Sequence, residues 1–215
     1  ILIQDEKRIL IDTSPDLRVQ FLKLNLLEVD LVLLTHTHYD HFTGLGELHG
    51  RLVDFWGLPD TLDYVMKWFN YLRKENRIQV KPIETYKEYE YGKFRIKAFN
   101  VIHDGAPTTP VGYVFQNKTH KVVITGDTGP ELPMESLKVM KNPDLLISEG
   151  TFFKESMPRI HLNVDGAIKL GSSLKAKETI LTHFSHRNKP YNELNEYVKQ
   201  FGSFSVSYDR MTIEL

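Results

Sequence analysis

Thr35 to Gly44 read THTHYDHFTG and set three imidazoles and one carboxylate within six positions, spaced H-x-H-x-D-H. Imidazole nitrogens and carboxylate oxygens are the usual donors to zinc and similar divalent ions. His36 and His38 stand two apart, so an extended backbone turns both to the same side. Asp40 and His41 are adjacent and are expected to point in different directions. The simplest division is two neighbouring metal sites, one on His36 and His38, the other on Asp40 and His41. The chain has no cysteine, which excludes disulfides and thiolate sites and leaves only N and O ligands for any ion.

More residues of the same kind recur where strands are expected to end. His103 follows the alternating run Phe94 to Val101. Asp127 lies in Gly126-Asp127-Thr128-Gly129 after the apolar run Lys121 to Thr125. His161 follows an irregular stretch, and His183 and His186 follow Thr179 to Thr182. Functional residues collect on loops at one rim of a rigid scaffold. Four such positions beside the first motif point to a dinuclear metal centre.

The elements that must carry these residues alternate between strand and helix patterns. Ile1 to Ile11 reads as a β-hairpin with a charged turn. Ser14 and Pro15 read as N-cap and first residue of a helix running to about Asn25. Val29 to Leu34 is a continuous apolar run, as expected of a strand covered on both faces. Pro59 to Glu75 is the longest helical pattern, with Asp60 as its cap. Trp56, Trp68 and Tyr71 are read first as core and helix packing and second as groove lining. Ile78 to Ile83 is a strand, Glu84 to Tyr91 an exposed edge strand or loop, and Val111 to Phe115 a strand. Helix is expected from Pro133 to Met140, strand from Asp144 to Ser148, and helix after a cap at Asn163 or Asp165. Tyr191 to Phe201 reads as a last helix, with Phe204 to Val206 and Met211 to Leu215 as closing strands. Strands in two batches, each with helices, predict a layered α/β protein with two sheets and helices outside. No repeat or linker interrupts the pattern, so residues 1–215 are expected to form one domain.

Composition sets the outer bounds. Hydrophobic residues are 41% and charged residues 26% of the 215, an ordinary globular balance. Lys plus Arg is 27 against 28 Asp plus Glu, which argues against a broad nucleic-acid surface but not against a local basic pocket. No long apolar span or signal sequence is visible, so the cytoplasm is the expected location, with no membrane partner.

With these motifs quoted, the chain resembles the metallo-β-lactamase superfamily. THTHYDHFTG is similar to its H-x-H-x-D-H signature, GDTG to its bridging-aspartate motif, and THFSH to its last ligand segment. That resemblance implies a four-layer αββα sandwich and two divalent ions, zinc or manganese, with iron also compatible. One ion would be held by His36, His38 and His103, the other by Asp40, His41 and His183, with Asp127 bridging both. Asp12-Thr13-Ser14-Pro15-Asp16-Leu17-Arg18 resembles a segment of the cyclic phosphodiesterases of phosphonate breakdown. Glu149-Gly150-Thr151-Phe152 followed by His161 resembles the tRNA 3′-processing endonucleases of the RNase Z group. The Gly-rich opening strand and turn of these relatives is missing before the hairpin, as is a basic tRNA-gripping arm.

The implied activity is hydrolysis of a small or cyclic phosphodiester by a hydroxide shared between the two ions. Asp40 and His161 are the expected catalytic residues, with His161 giving the leaving alkoxide its proton. Asp12 is expected to hydrogen-bond a ligand histidine, and His186 to orient His183 or contact phosphate. His49 and His120 are read as surface residues. The competing functions are an RNA or DNA nuclease, hydrolysis of an ester, thioester, lactone or lactam, and a carrier without catalysis. A homodimer is left open.

Overall fold

Leu31, Val32 and Leu33 have no exposed surface at all. A strand buried on both faces is the mark of a parallel sheet flanked by helices, and it sits at the centre of one. The computed structural model describes residues 1–26, 28–74 and 78–215, arranged as two compact units: 1–87 with 106–110, and 88–105 with 111–215.

The first unit holds a five-stranded sheet in sequence order. Its strands are β1 (Leu2–Gln4), β2 (Arg8–Ile11), β3 (Leu31–Leu33), β4 (Val53–Gly57) and β5 (Ile78–Pro82). β1 and β2 form the expected antiparallel hairpin, and β2 to β5 run parallel. Asp12 follows β2 and the histidine motif follows β3, so both leave the sheet at one edge. Helices α1 (Leu17–Leu24), α2 (Tyr39–Phe42), α3 (Pro59–Trp68) and α4 (Asn70–Lys74) complete the unit. Its core joins Leu17 and Phe21 of α1, Val32, Phe42, Leu45, Leu48, Phe55 and Val65.

Several expectations are corrected in this unit. Ser14 does not cap α1 with its side chain; its carbonyl accepts the Leu17 N–H at 3.0 Å, and Asp16 is the N-cap. The long helix is broken at Phe69, whose backbone leaves the helical region and whose ring packs edge-on to Phe42 at 6.2 Å. The last residue of that expectation, Glu75, lies outside the described residues. Pro59 occupies the first turn after Leu58, while Asp60 accepts the N–H groups of Thr61 at 2.9 Å and Thr109 at 2.7 Å. β4 carries no regular alternation, and the sequence pattern does not mark it as a strand. Trp56 is buried within it, whereas Trp68 is 64% exposed.

The second unit is built on a seven-stranded mixed sheet, β12-β11-β10-β9-β8-β7-β6. These are β6 (Glu88–Tyr91), β7 (Phe94–Asn100), β8 (Val111–Gln116), β9 (Lys121–Ile124), β10 (Leu145–Glu149), β11 (Glu178–Thr182) and β12 (Phe204–Val206). β9 to β12 are parallel, and β6 to β9 antiparallel. β7 therefore runs the same way as β9, β10 and β11. His103, Asp127, Glu149 and His183, at or just past the C-terminal ends of those four strands, reach a single edge. Helices α5 (Met134–Met140), α6 (Val164–Leu174) and α7 (Tyr191–Lys199) connect the parallel strands or follow them. Asn163 caps α6, its Oδ1 accepting the Gly166 N–H at 2.8 Å. β6 is the expected edge strand. Met211 to Leu215 carry no regular structure, contrary to the expected closing strand.

Gly44, the last residue of the histidine motif, marks a close approach. Its N–H donates to the Thr13 carbonyl at 2.9 Å, and an added Cβ would run into the Ser14 carbonyl oxygen and meet Leu17 Cβ at 2.8 Å. Both neighbours are fixed by the turn into α1, so neither yields cheaply. Gly44→Ala should destabilise the fold by about 1–3 kcal/mol, read as a lower urea midpoint with an unchanged slope. An unchanged midpoint would mean that this turn is not rigid.

Candidate metal centre

In the first unit the turn after β3 carries His36, His38, Asp40 and His41. Thr35 and Asp12 govern their orientation. Asp12 Oδ1 accepts the Thr35 N–H at 2.8 Å, and Oδ2 accepts the Thr35 hydroxyl at 2.9 Å. That spends the hydroxyl proton, so the Thr35 oxygen acts as acceptor for His36 Nδ1 at 3.0 Å. Asp12 Oδ2 also takes His41 Nδ1–H at 2.8 Å, a hydrogen bond to a histidine of the motif. His36 and His41 thus commit Nδ1 to oxygen and present Nε2. His38 is turned the other way, with Nδ1 at 2.9 Å from His36 Nε2. His41 Nε2 lies 3.5 Å from Asp40 Oδ2, so these adjacent side chains converge. Adjacency alone predicts divergence, but both residues lie in the helical turn α2, where the two side chains come together.

Burial acts to raise the Asp12 carboxyl, but the His41 and His36 rings and the Thr35 N–H outweigh it and hold the group below the usual carboxylate range. Its backbone sits in the left-handed region at φ 61°. A non-glycine residue kept there has a conformation that its surroundings impose.

The second unit repeats the device. His103 Nδ1 donates to the Ile160 carbonyl at 2.6 Å, and Nε2 lies 3.8 Å from Asp127 Oδ2. Thr151 donates its hydroxyl proton to Glu149, which leaves its oxygen to accept His183 Nδ1–H at 3.0 Å. His183 Nε2 lies 3.5 Å from Asp127 Oδ1. Asp127 therefore turns Oδ2 toward His103 and Oδ1 toward His183. Asp127, His161 and His183 bring one donor atom each within 4.8 Å of one another. His183, like Asp12, has positive φ, at 60°.

His161 differs from the others. Its Nδ1 lies 3.0 Å from Glu149 Oε2 and 3.8 Å from Asp127 Oδ2. Glu149 is almost fully buried, and its carboxylate also accepts the Thr128 N–H and the Thr151 hydroxyl. Burial pushes the Glu149 carboxyl up, and the charge of Asp127 adds to this against the opposing pull of His161. Arg159 forms a bidentate pair with Asp104 at 2.7 and 3.1 Å, and its carbonyl accepts the Asp104 N–H at 2.7 Å. That clamp ties the loop after His103 to the loop before His161. Gly129 allows it: a Cβ there would stand 2.6 Å from the Arg159 backbone.

His186 is exposed and makes no hydrogen bond to His183 among the described residues; the orienting contact comes from Thr151. Glu149 and Thr151 stand out in the sequence only through the resemblance to RNase Z. The Ile160 carbonyl has no side-chain signature. His49 is exposed and His120 partly so.

The donor set fits divalent cations. Four imidazoles hold Nδ1 against oxygen acceptors and turn Nε2 away from them, and a nearly buried carboxylate needs positive charge beside it. A family model described as the beta-lactamase superfamily domain matches residues 7–184. The chain belongs to the metallo-β-lactamase superfamily. A metal-dependent hydrolase of Thermoplasma acidophilum is 26% identical over 191 residues, covering 84% of this chain and 77% of its own length. The ribonuclease Z of Archaeoglobus fulgidus is 22% identical, covering 97% of this chain and 89% of its own. An octanoyltransferase of Porphyromonas gingivalis is 26% identical over 203 residues, 90% of this chain, which spans only 40% of that protein. A solved diphosphatase of the PhnP family superposes over all of this chain and 83% of its own, with TM-score 0.86 and 24% identity. The α/β metallo-β-lactamase fold expected from the motifs is the fold found. The family of this chain thus includes a protein described as a metal-dependent hydrolase, and the chain carries His/Asp groups able to hold a metal ion.

Asp12→Ala removes the acceptor of His41 Nδ1 and of Thr35 together. Metal affinity, measured by competition with a chelator, should fall about 10–100-fold. An unchanged affinity would show that His41 is oriented by other contacts.

Proposed function

We propose that this chain is a metal-dependent hydrolase, a phosphodiesterase for a small or cyclic phosphodiester, working with two divalent ions, zinc or manganese. His36, His38 and His103 would hold one ion, Asp40, His41 and His183 the other, and Asp127 both. Bound there, the ions would supply water acidified to near neutrality and positive charge against the phosphate oxygens. The chain's own residues have three tasks. Asp12, Thr35, Thr151 and the Ile160 carbonyl fix which nitrogen His36, His41, His103 and His183 present. Asp40, exposed at the mouth of α2, is both ligand and catalytic carboxylate. His161 holds its Nδ1 proton toward Glu149 and carries the transferable proton on Nε2.

The observation that carries the reading is the Glu149–His161 pair at 3.0 Å. A braced proton donor is of use where the leaving group is poor. An alkoxide departing from phosphorus needs a proton, whereas a thiolate, with a thiol pKa near about 8.5, leaves without one. The pair therefore favours a phosphodiester over a thioester, and a catalyst over a carrier. The substrate is small and the protein works in the cytoplasm under this reading; among the described residues no helix is long and apolar enough to cross a membrane. A nuclease acting on RNA ends is the second reading, favoured by the ribonuclease Z relatives; its activity would fall steeply with salt.

His161→Ala should keep its metal and lose about 10²–10⁴-fold in turnover of a 2′,3′-cyclic nucleotide. The loss should be far smaller on an aryl phosphodiester, whose leaving group needs little help. Equal losses on both substrates would contradict the proton-donor role, and lost metal would make His161 a ligand.

A further inference from the structure

The sheet of the second unit carries a basic cleft away from the candidate centre. Cross-strand pairing sets Arg95, Gln116 and Lys121 in one row across β7, β8 and β9, and Glu88, Lys97 and Val114 in the next row across β6, β7 and β8. Directly paired residues share a face, as do residues two apart on one strand. All six therefore stand on the same side, and with Lys138 and Val139 from α5 they line a cavity of about 240 Å³. The cleft lies at the start of β9, whereas Asp127 follows its end.

Four cations line this cavity with one carboxylate. Glu88 is divided between Arg95 at 3.5 Å and Lys97 at 3.7 Å, which leaves three positive charges in excess (four minus one). Like charges on neighbouring strand positions repel. Lys121 is held in place all the same, its Nζ donating to the Lys141 carbonyl at 2.6 Å. Burial first, and then the nearby Lys97, lower its ammonium from the usual lysine range, with Asp144 opposing. Asp144 itself is engaged with the Lys121 N–H at 2.7 Å and Lys177 at 2.6 Å. A concave, partly desolvated excess of positive charge concentrates anions. Gln116 adds a neutral amide donor between the cations.

We propose that this cleft is a second anion site that takes a phosphate dianion, free or as the terminal group of a phosphomonoester. Lys97 and Lys121 would grip it from the two sides of β8, with Arg95 and Lys138 at the rim. The inference does not depend on the substrate of the metal centre.

The test is a titration of the metal-loaded chain with inorganic phosphate and with methyl phosphate at fixed ionic strength, followed by the amide resonances of Lys97, Gln116 and Lys121. Both probes should give saturable one-to-one curves at those amides. Lys97→Gln and Lys121→Gln should each raise the apparent Kd at least tenfold, while Lys118→Gln, an exposed loop charge nearby, stays within twofold. Lys138→Gln gives an independent arm, expected to raise Kd at least threefold without touching the sheet. Shifts that never saturate, or an equal effect from Lys118→Gln, would overturn the site. Saturation by inorganic phosphate alone would overturn the phosphomonoester part.

Discussion

A neutral imidazole has one N–H and one lone pair, and a histidine ligand is useful only when the lone pair faces the ion. That constraint organises both units. His36 gives its Nδ1 proton to Thr35, His41 to Asp12, His103 to the Ile160 carbonyl and His183 to Thr151. In two of these cases the acceptor is a threonine whose own hydroxyl proton is already spent on a carboxylate. Asp12 and Glu149 thus stand at the root of the two networks. They play the same part in different units: a carboxylate fixes a threonine, and the threonine fixes a histidine.

Topology explains why the networks form where they do. β2 and β3 are parallel and end at one edge, so Asp12 and the histidine motif meet without a long loop. In the other unit β7, β9, β10 and β11 end together, and four separate segments each contribute one or two groups. The cost of convergence shows in the backbone. Asp12, Arg159 and His183 all hold positive φ. Each sits where a strand or loop must turn sharply and still aim a side chain, and the surrounding hydrogen bonds maintain conformations that side-chain-bearing residues seldom choose.

Much of this was legible in the sequence, for identifiable reasons. The H-x-H-x-D-H spacing and the apolar run before it place the first unit's candidate ligands within ten residues. The strand of the second unit that precedes Asp127 was visible from its own apolar residues. What escaped depends on tertiary context. The break at Phe69 follows from ring packing against Phe42, not from any local breaker. β4 is a buried strand holding Asp54, so neither alternation nor a clean apolar run marks it. Asp40 and His41 converge because they lie on a helical turn too short to show periodicity. Thr151 holds His183 Nδ1 unannounced, since a threonine near a glutamate has no distinctive spacing. The cation rows at Lys97 and Lys121 become a cleft only through strand register.

The proposed function requires two ligand sets serving one pair of ions, with Asp127 common to both. The direct measurement is metal content per chain by elemental analysis, comparing the unaltered protein with Asp127→Ala after identical reconstitution and dialysis. The account predicts close to two ions in the first and loss of both in the second, with folding intact by circular dichroism. One ion retained in full by Asp127→Ala would contradict a shared carboxylate, and no ion in the unaltered protein would contradict the metal centre itself.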